Sequence, residues 1–109
     1  MASRDSLRGT LDLLVLKTLT WGPRHGYAIA RWLEESSSDV LRVEEGSLYP
    51  ALYRMEKRGW ILSDRRTSEL GRPAKFYQLT PVGRRHLHAE TADWLVFARE
   101  VARVLEVPA

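Results

Sequence analysis

Apolar residues recur at helical spacing from Leu7 to Thr20. Leu7, Leu11, Leu14, Val15 and Leu19 form one stripe, and Leu13 with Leu16 forms a second. Two stripes predict a helix buried on more than one side, in a core and also at a subunit contact. Gly22-Pro23 ends it. A second helix is predicted from His25 to Glu35, with Ala28, Ile29, Trp32 and Leu33 on one face and Ser36 to Asp39 as its stop. Val40 to Val43 reads as a short strand or an extended link. A third helix is predicted from Glu45 to Arg58, closed by Gly59. Pro50 limits it: either the regular helix starts near Leu48, or it begins irregularly at Glu45.

The period then changes. Trp60-Ile61-Leu62 and Phe76-Tyr77-Gln78-Leu79 bracket a polar stretch containing glycine and proline, which predicts a β-hairpin with a long basic tip from about Arg65 to Lys75. Thr80-Pro81 is a helix start, an N-cap hydroxyl followed by proline at N1. The last helix is predicted from Pro81 to about Glu106, about 39 Å at helical rise. Leu87, Thr91, Trp94, Ala98, Val101 and Leu105 are spaced by four and three along it, a heptad seam. So small a domain has no core long enough to cover this helix, and a helix of a second subunit is the economical partner. The expected fold is mainly α with a small β-hairpin. It is a winged helix-turn-helix over residues 1–80 with a C-terminal dimerisation helix over 81–109. Leu7 and Leu11 of the first helix join the seam residues as candidate dimer contacts.

Composition narrows the chemistry. The chain has 109 residues, one domain's worth, and no cysteine, which excludes disulfides, thiolate nucleophiles and Cys-based metal sites. The longest apolar run, Leu13 to Leu16, is far short of a membrane span, and Arg4, Asp5 and Arg8 interrupt any signal-peptide pattern. A cytoplasmic protein is expected, with no membrane partner. The net charge of +3 is unevenly spread. Residues 60–85 carry six cations against two carboxylates, whereas residues 86–109 carry two against four. One end of the molecule is built to meet a polyanion, and the other is not.

Candidate DNA contacts fall in two places. On the third helix, Leu48, Leu52 and Met55 form the buried stripe. Pro50, Tyr53, Arg54 and Lys57 are placed opposite, flanked by Ser47 and Tyr49. Tyrosines, a serine and cations suit phosphates and base edges. The hairpin adds Arg65, Arg66, Arg72 and Lys75, a basic loop suited to a minor groove or the backbone. Catalysis finds no support: there is no nucleophile–base pair, paired carboxylate or phosphate-cradling loop, and no cofactor or metal is expected. His86 and His88 point apart at i,i+2, and His25 reads as a helix-start residue or a phosphate contact. Two readings of Trp94 stay open. It packs with its symmetry mate in a dimer core, or its mismatch with small Ala98 leaves a gap where paired tryptophans stack on a flat aromatic effector.

Several strings resemble one known family. These are Gly9-Thr10-Leu11-Asp12, His25-Gly26-Tyr27, Glu45-Gly46-Ser47-Leu48-Tyr49-Pro50-Ala51-Leu52, Gly71-Arg72-Pro73-Ala74-Lys75-Phe76-Tyr77 and Leu79-Thr80-Pro81-Val82-Gly83. In this order, over almost the whole chain, they resemble the PadR family of bacterial transcriptional regulators, in its short form with a single C-terminal helix. The resemblance implies a homodimer, mostly a repressor, that binds a palindromic operator of double-stranded DNA. In some members aromatic compounds release the DNA. It further implies that Ser47, Tyr49, Pro50 and Tyr53 belong to the recognition helix, Arg72 and Lys75 to the wing, and His25 and Tyr27 to the start of the second helix. Trp94 falls near an aromatic that some short members use for ligand contact. The alternatives from other classes are a small-molecule-binding dimer and a protein–protein docking module, each with weak DNA affinity.

Overall fold

The computed structural model describes residues 4–109, with side chains from Gly9 onward; the candidate dimer contact Leu7 lies outside the described side chains. Helix α1 (Arg4–Thr18) is followed by a two-residue strand β1 (Arg24–His25), then α2 (Gly26–Ser36) and α3 (Glu45–Lys57). The hairpin β2 (Ile61–Thr67) and β3 (Pro73–Leu79) and the long helix α4 (Pro81–Leu105) complete the chain. This is mainly α with a small antiparallel sheet in the order β1-β3-β2, a winged helix-turn-helix carrying a C-terminal helix.

One apolar core is shared by every element except β1. Val15 and Leu16 of α1, with Leu19 just after it, meet Ile29 and Leu33 of α2 and Leu48, Ala51, Leu52 and Met55 of α3. Ile61, Tyr77 and Leu87 close it from the hairpin and from α4. The predicted buried stripe of α3 is therefore the observed one. Only the first third of α4 reaches this core. Beyond it the helix projects, and the molecule measures 56 × 29 × 23 Å.

Two open readings are settled and one prediction changes. Val40–Val43 is the link and not the strand; the third strand is Arg24–His25, which pairs with Tyr77 and Phe76 of β3. Two residues give no alternation to read, so the pattern was silent there. Second, α3 is helical from Glu45 with Pro50 inside it. Pro50 lies in the second turn, so the helix accepts the loss of one hydrogen bond there, held by the burial of Leu48, Ala51 and Leu52 on either side. Third, the hairpin strands are seven residues each, with Arg65 opposite Lys75 and Arg66 opposite Ala74. The tip is only Ser68 to Arg72, closed by Ser68 N–H to the Arg72 carbonyl at 2.7 Å and by Gly71 at φ +76°. The polar residues read as a long loop are the outward rungs of a ladder that extends past the core.

Two corners set how the pieces meet. Gly59, at φ +77°, turns the chain from α3 into β2. Thr80 then caps α4: its hydroxyl accepts from the Gly83 N–H at 2.9 Å and lies 2.6 Å from the Gly59 carbonyl. Gly83 rests directly on the Trp60 carbonyl, where a Cβ would come within 2.0 Å of the oxygen. Trp60 itself stacks on His86 of α4 at 3.8 Å, which locks the root of α4 to the root of the wing.

Candidate nucleic-acid interface

Helix α3 presents its outer face to solvent. Ser47, Pro50, Tyr53 and Lys57 are all exposed, Tyr53 by 61%, and the Lys57 ammonium lies 5.1 Å from the Tyr53 ring centre. Tyr49 is half-exposed and leans on the start of α2: a Cβ at Gly26 would meet the Tyr49 hydroxyl at 2.6 Å. This contact explains why glycine stands before Tyr27. Tyr27 is itself exposed, whereas His25 is the N-cap of α2, its Nδ1 accepting from the Ala28 N–H at 3.2 Å. Its imidazole also meets Phe76 edge-on at 5.1 Å. Of the two readings of His25, helix start or phosphate contact, the geometry supplies the first.

Arg54 is not opposite the buried stripe as the wheel placed it. It sits on the flank of α3 that faces α1, where its Nη2 donates to Asp12 Oδ1 at 3.0 Å. Asp12 is almost fully buried, and its carboxyl is pushed above the usual carboxylate range by desolvation, opposed by the Arg54, Arg58 and His86 charges. In the sequence Asp12 is the lone carboxylate between Leu11 and the apolar run Leu13 to Leu16. That is itself the signal for a paired interior charge.

The wing cations do not form one cluster. Strand alternation puts Arg65 and Lys75 on the face that continues the core side, toward α3, and Arg66 on the outer face. Arg66 donates to both Asp64 oxygens, at 2.9 and 3.3 Å, and lies over Phe76. Lys75 lies 3.7 Å from Glu56 of α3, which also accepts from the Ser63 hydroxyl at 2.6 Å. Glu56 thus belongs to the site, although no pattern singled it out. Burial, and then the Glu56 carboxylate, push the pKa of neighbouring Tyr77 up, so its phenol stays neutral. Arg65, and Arg72 at the tip, are exposed and make no side-chain ion pair among the described residues. Between the wing, α2 and α3 runs a concave surface of about 690 Å³ lined by Tyr27, Arg31, Tyr49, Arg72 and Lys75.

A second concavity lies between α1 and α4. It measures about 730 Å³ and is walled by Leu13, Leu14, Leu87, Thr91, Trp94 and Leu95. The Trp94 indole N–H crosses it to donate to the Thr10 hydroxyl at 2.9 Å. Of the seam, Leu87 is used in the subunit's own core, and Leu11 packs partly against that core. Ala98 is half-buried, whereas Val101 and Leu105 stand in solvent. Among the described residues, no helix is long and apolar enough to cross a membrane.

A tyrosine-bearing helix beside a basic β-wing is the arrangement of winged-helix regulators. The sequence matches the transcriptional regulator PadR-like family over residues 15–89. The chain belongs to that family. Its members are transcriptional regulators, not enzymes. The chain is 34% identical to transcriptional regulator Rv3488 of Mycobacterium tuberculosis over 99 residues, which is 90% of this chain and 88% of that one. A PadR family regulator from Eggerthella lenta superposes with a TM-score of 0.76 at 34% identity, covering 94% of this chain and 88% of that one. A transcriptional regulator from Clostridium thermocellum gives 0.80 at 26% identity, covering 94% and 97%. This PadR-like chain matches such regulators along nearly its whole length, α4 included.

Proposed function

We propose that this PadR-like regulator is a cytoplasmic homodimeric repressor that binds a palindromic operator. In this reading residues 1–80 contact DNA and 81–109 pair the subunits. Helix α3 enters the major groove, with Ser47, Tyr49, Pro50, Tyr53 and Lys57 toward bases and phosphates. The wing lies along the adjacent backbone or minor groove, with Arg72 at its tip and Arg65 beside it. The observation that carries the reading is the Tyr53–Lys57 pair on α3, which faces solvent on the side of the helix away from the core. Lysines and arginines that meet phosphate release counterions, so affinity falls steeply with salt.

The dimer proposal rests on α4. Val101, Val104 and Leu105 are exposed in a helix that outruns its own core, and the α1–α4 groove is apolar. Tyr53→Ala and Arg72→Ala should abolish operator binding in anisotropy titrations while sedimentation still reports the dimer. Retained binding in both variants would remove α3 and the wing from the interface. Trp94, which lines the groove, and Ala98, one turn further along α4, are the proposed contacts for a flat aromatic effector. Quenching of wild-type fluorescence by such compounds, absent in Trp94→Phe, supports that role; equal quenching in the variant refutes it.

A further inference from the structure

Helix α3 touches its neighbours in two chemically different ways. Its apolar stripe of Leu48, Leu52 and Met55 is buried in the core. Such contact is non-directional: it fixes which side of the helix is buried, and directional contacts are needed to set the angle of the outer face more finely. Directional contacts stand on either side of that stripe. Arg54 and Glu56 bracket Met55, each about 100° from it around the helix. Arg54 reaches Asp12 of α1 at 3.0 Å. Glu56 accepts from the Ser63 hydroxyl of β2 at 2.6 Å and pairs with Lys75 of β3 at 3.7 Å. Tyr53 and Lys57, about 200° from Met55, are left pointing outward.

The angular setting matters because DNA contacts are short. At an outer helix radius of about 6 Å, a roll of about 20° carries a side chain sideways by about 2 Å. A hydrogen bond to a base edge tolerates only a few tenths of an ångström before it weakens. A roll of that size would therefore spoil base reading by Tyr53, while still leaving cations near phosphates.

Resting on the DNA-binding reading above, we propose that Arg54 and Glu56 are positioning residues for sequence recognition. They act through Asp12 on one flank and through Ser63 and Lys75 on the other. Together they fix the rotation of α3 about its axis, and neither touches DNA. This assigns a role to Asp12, Glu56 and Ser63 and takes Arg54 out of the phosphate-contacting set. The buried Nε of Arg54, which has no hydrogen-bond partner, marks a side chain held inward by its ion pair and not offered to solvent.

The test compares binding to the selected operator with binding to a scrambled duplex of equal length, across a salt series, for Asp12→Asn, Arg54→Gln, Glu56→Gln and Ser63→Ala. Circular dichroism confirms that each variant is folded at the assay temperature. The expected result is a loss of about tenfold or more on the operator and under about twofold on the scrambled duplex, with the wild-type salt slope retained. Asp12→Asn with Arg54→Gln together should cost no more than either alone, because one contact is lost once. Ser63→Ala removes one hydroxyl at a part-exposed site, so it carries the test if Asp12→Asn does not fold. Equal losses on both duplexes with a shallower salt slope in Arg54→Gln would overturn the proposal, because Arg54 would then be touching phosphate. Wild-type operator affinity in Ser63→Ala and Glu56→Gln would overturn it as well. A wild-type protein that cannot tell the operator from the scramble would sink the DNA reading first, and the proposal with it.

Discussion

The sharpest structural prediction concerns Gly83→Ala. The added methyl would sit 2.0 Å from the Trp60 carbonyl oxygen, 2.8 Å from its carbon and 3.0 Å from Trp60 Cα. All three are backbone atoms, so no rotamer change relieves the overlap. The start of α4 must move away from the α3–β2 corner by about 1 Å, an overpacking cost of about 1–3 kcal/mol. The same movement stretches the Thr80 contacts, its N–H to Trp60 O at 3.0 Å and its hydroxyl to Gly59 O at 2.6 Å. Each such hydrogen bond contributes about 1 kcal/mol. Better helix propensity returns about 1 kcal/mol. A net loss of about 2–4 kcal/mol remains, which for a domain of this size lowers Tm by about 10–25 °C. Thermal unfolding at one fixed protein concentration measures it, since association shifts apparent stability. Gly46→Ala is the matched control, because a Cβ there meets nothing within 4 Å. A Gly83→Ala protein that melts within about 2 °C of wild type would refute the reasoning about this corner.

Other consequences are open to the same instruments. Thr80→Ala removes the α4 cap and should cost about 1–2 kcal/mol in urea unfolding; His25→Ala, at the α2 cap, should cost about 0.5–2 kcal/mol. An unchanged midpoint would show that the cap hydrogen bond contributes nothing. Asp12 holds its proton more tightly folded than unfolded, so its contribution to stability is fully present below the unfolded value of 3.8 and is lost as pH rises through the raised folded value. The stability of wild type relative to Asp12→Asn should accordingly grow as pH falls from neutral toward 3.8, and a constant difference would contradict the buried setting of Asp12. His86→Ala should change tryptophan emission through loss of the Trp60 stack, and an unaltered spectrum would place Trp60 elsewhere.

Helices were legible wherever period and punctuation agreed. Leu48, Leu52 and Met55 announced the buried side of α3, and Thr80-Pro81 announced α4 to the residue, because caps and apolar spacing are local physics. The wing was legible in kind but not in extent. Its outer strands carry arginines and serine on a ladder beyond the core, where no apolar alternation marks them. Strand β1 was invisible because two residues borrow their pairing from β3. Within the site, exposed Tyr53 and Lys57 followed from the wheel. The placement of Arg54 did not, since a long flank side chain goes where a partner is, and its partner lies 42 positions away. Glu56 escaped for the same reason: its hydroxyl and ammonium partners come from strands whose register no local pattern discloses.

The central claim is that an α3-and-wing surface on a two-fold dimer reads DNA. Selection of duplexes from a random pool by the purified protein tests it directly. The account predicts enrichment of an inverted repeat with half-sites about one helical turn apart, bound with a steep salt dependence by wild type and not by Tyr53→Ala. A pool that yields no enriched sequence, or binding that Tyr53→Ala leaves intact, would contradict it.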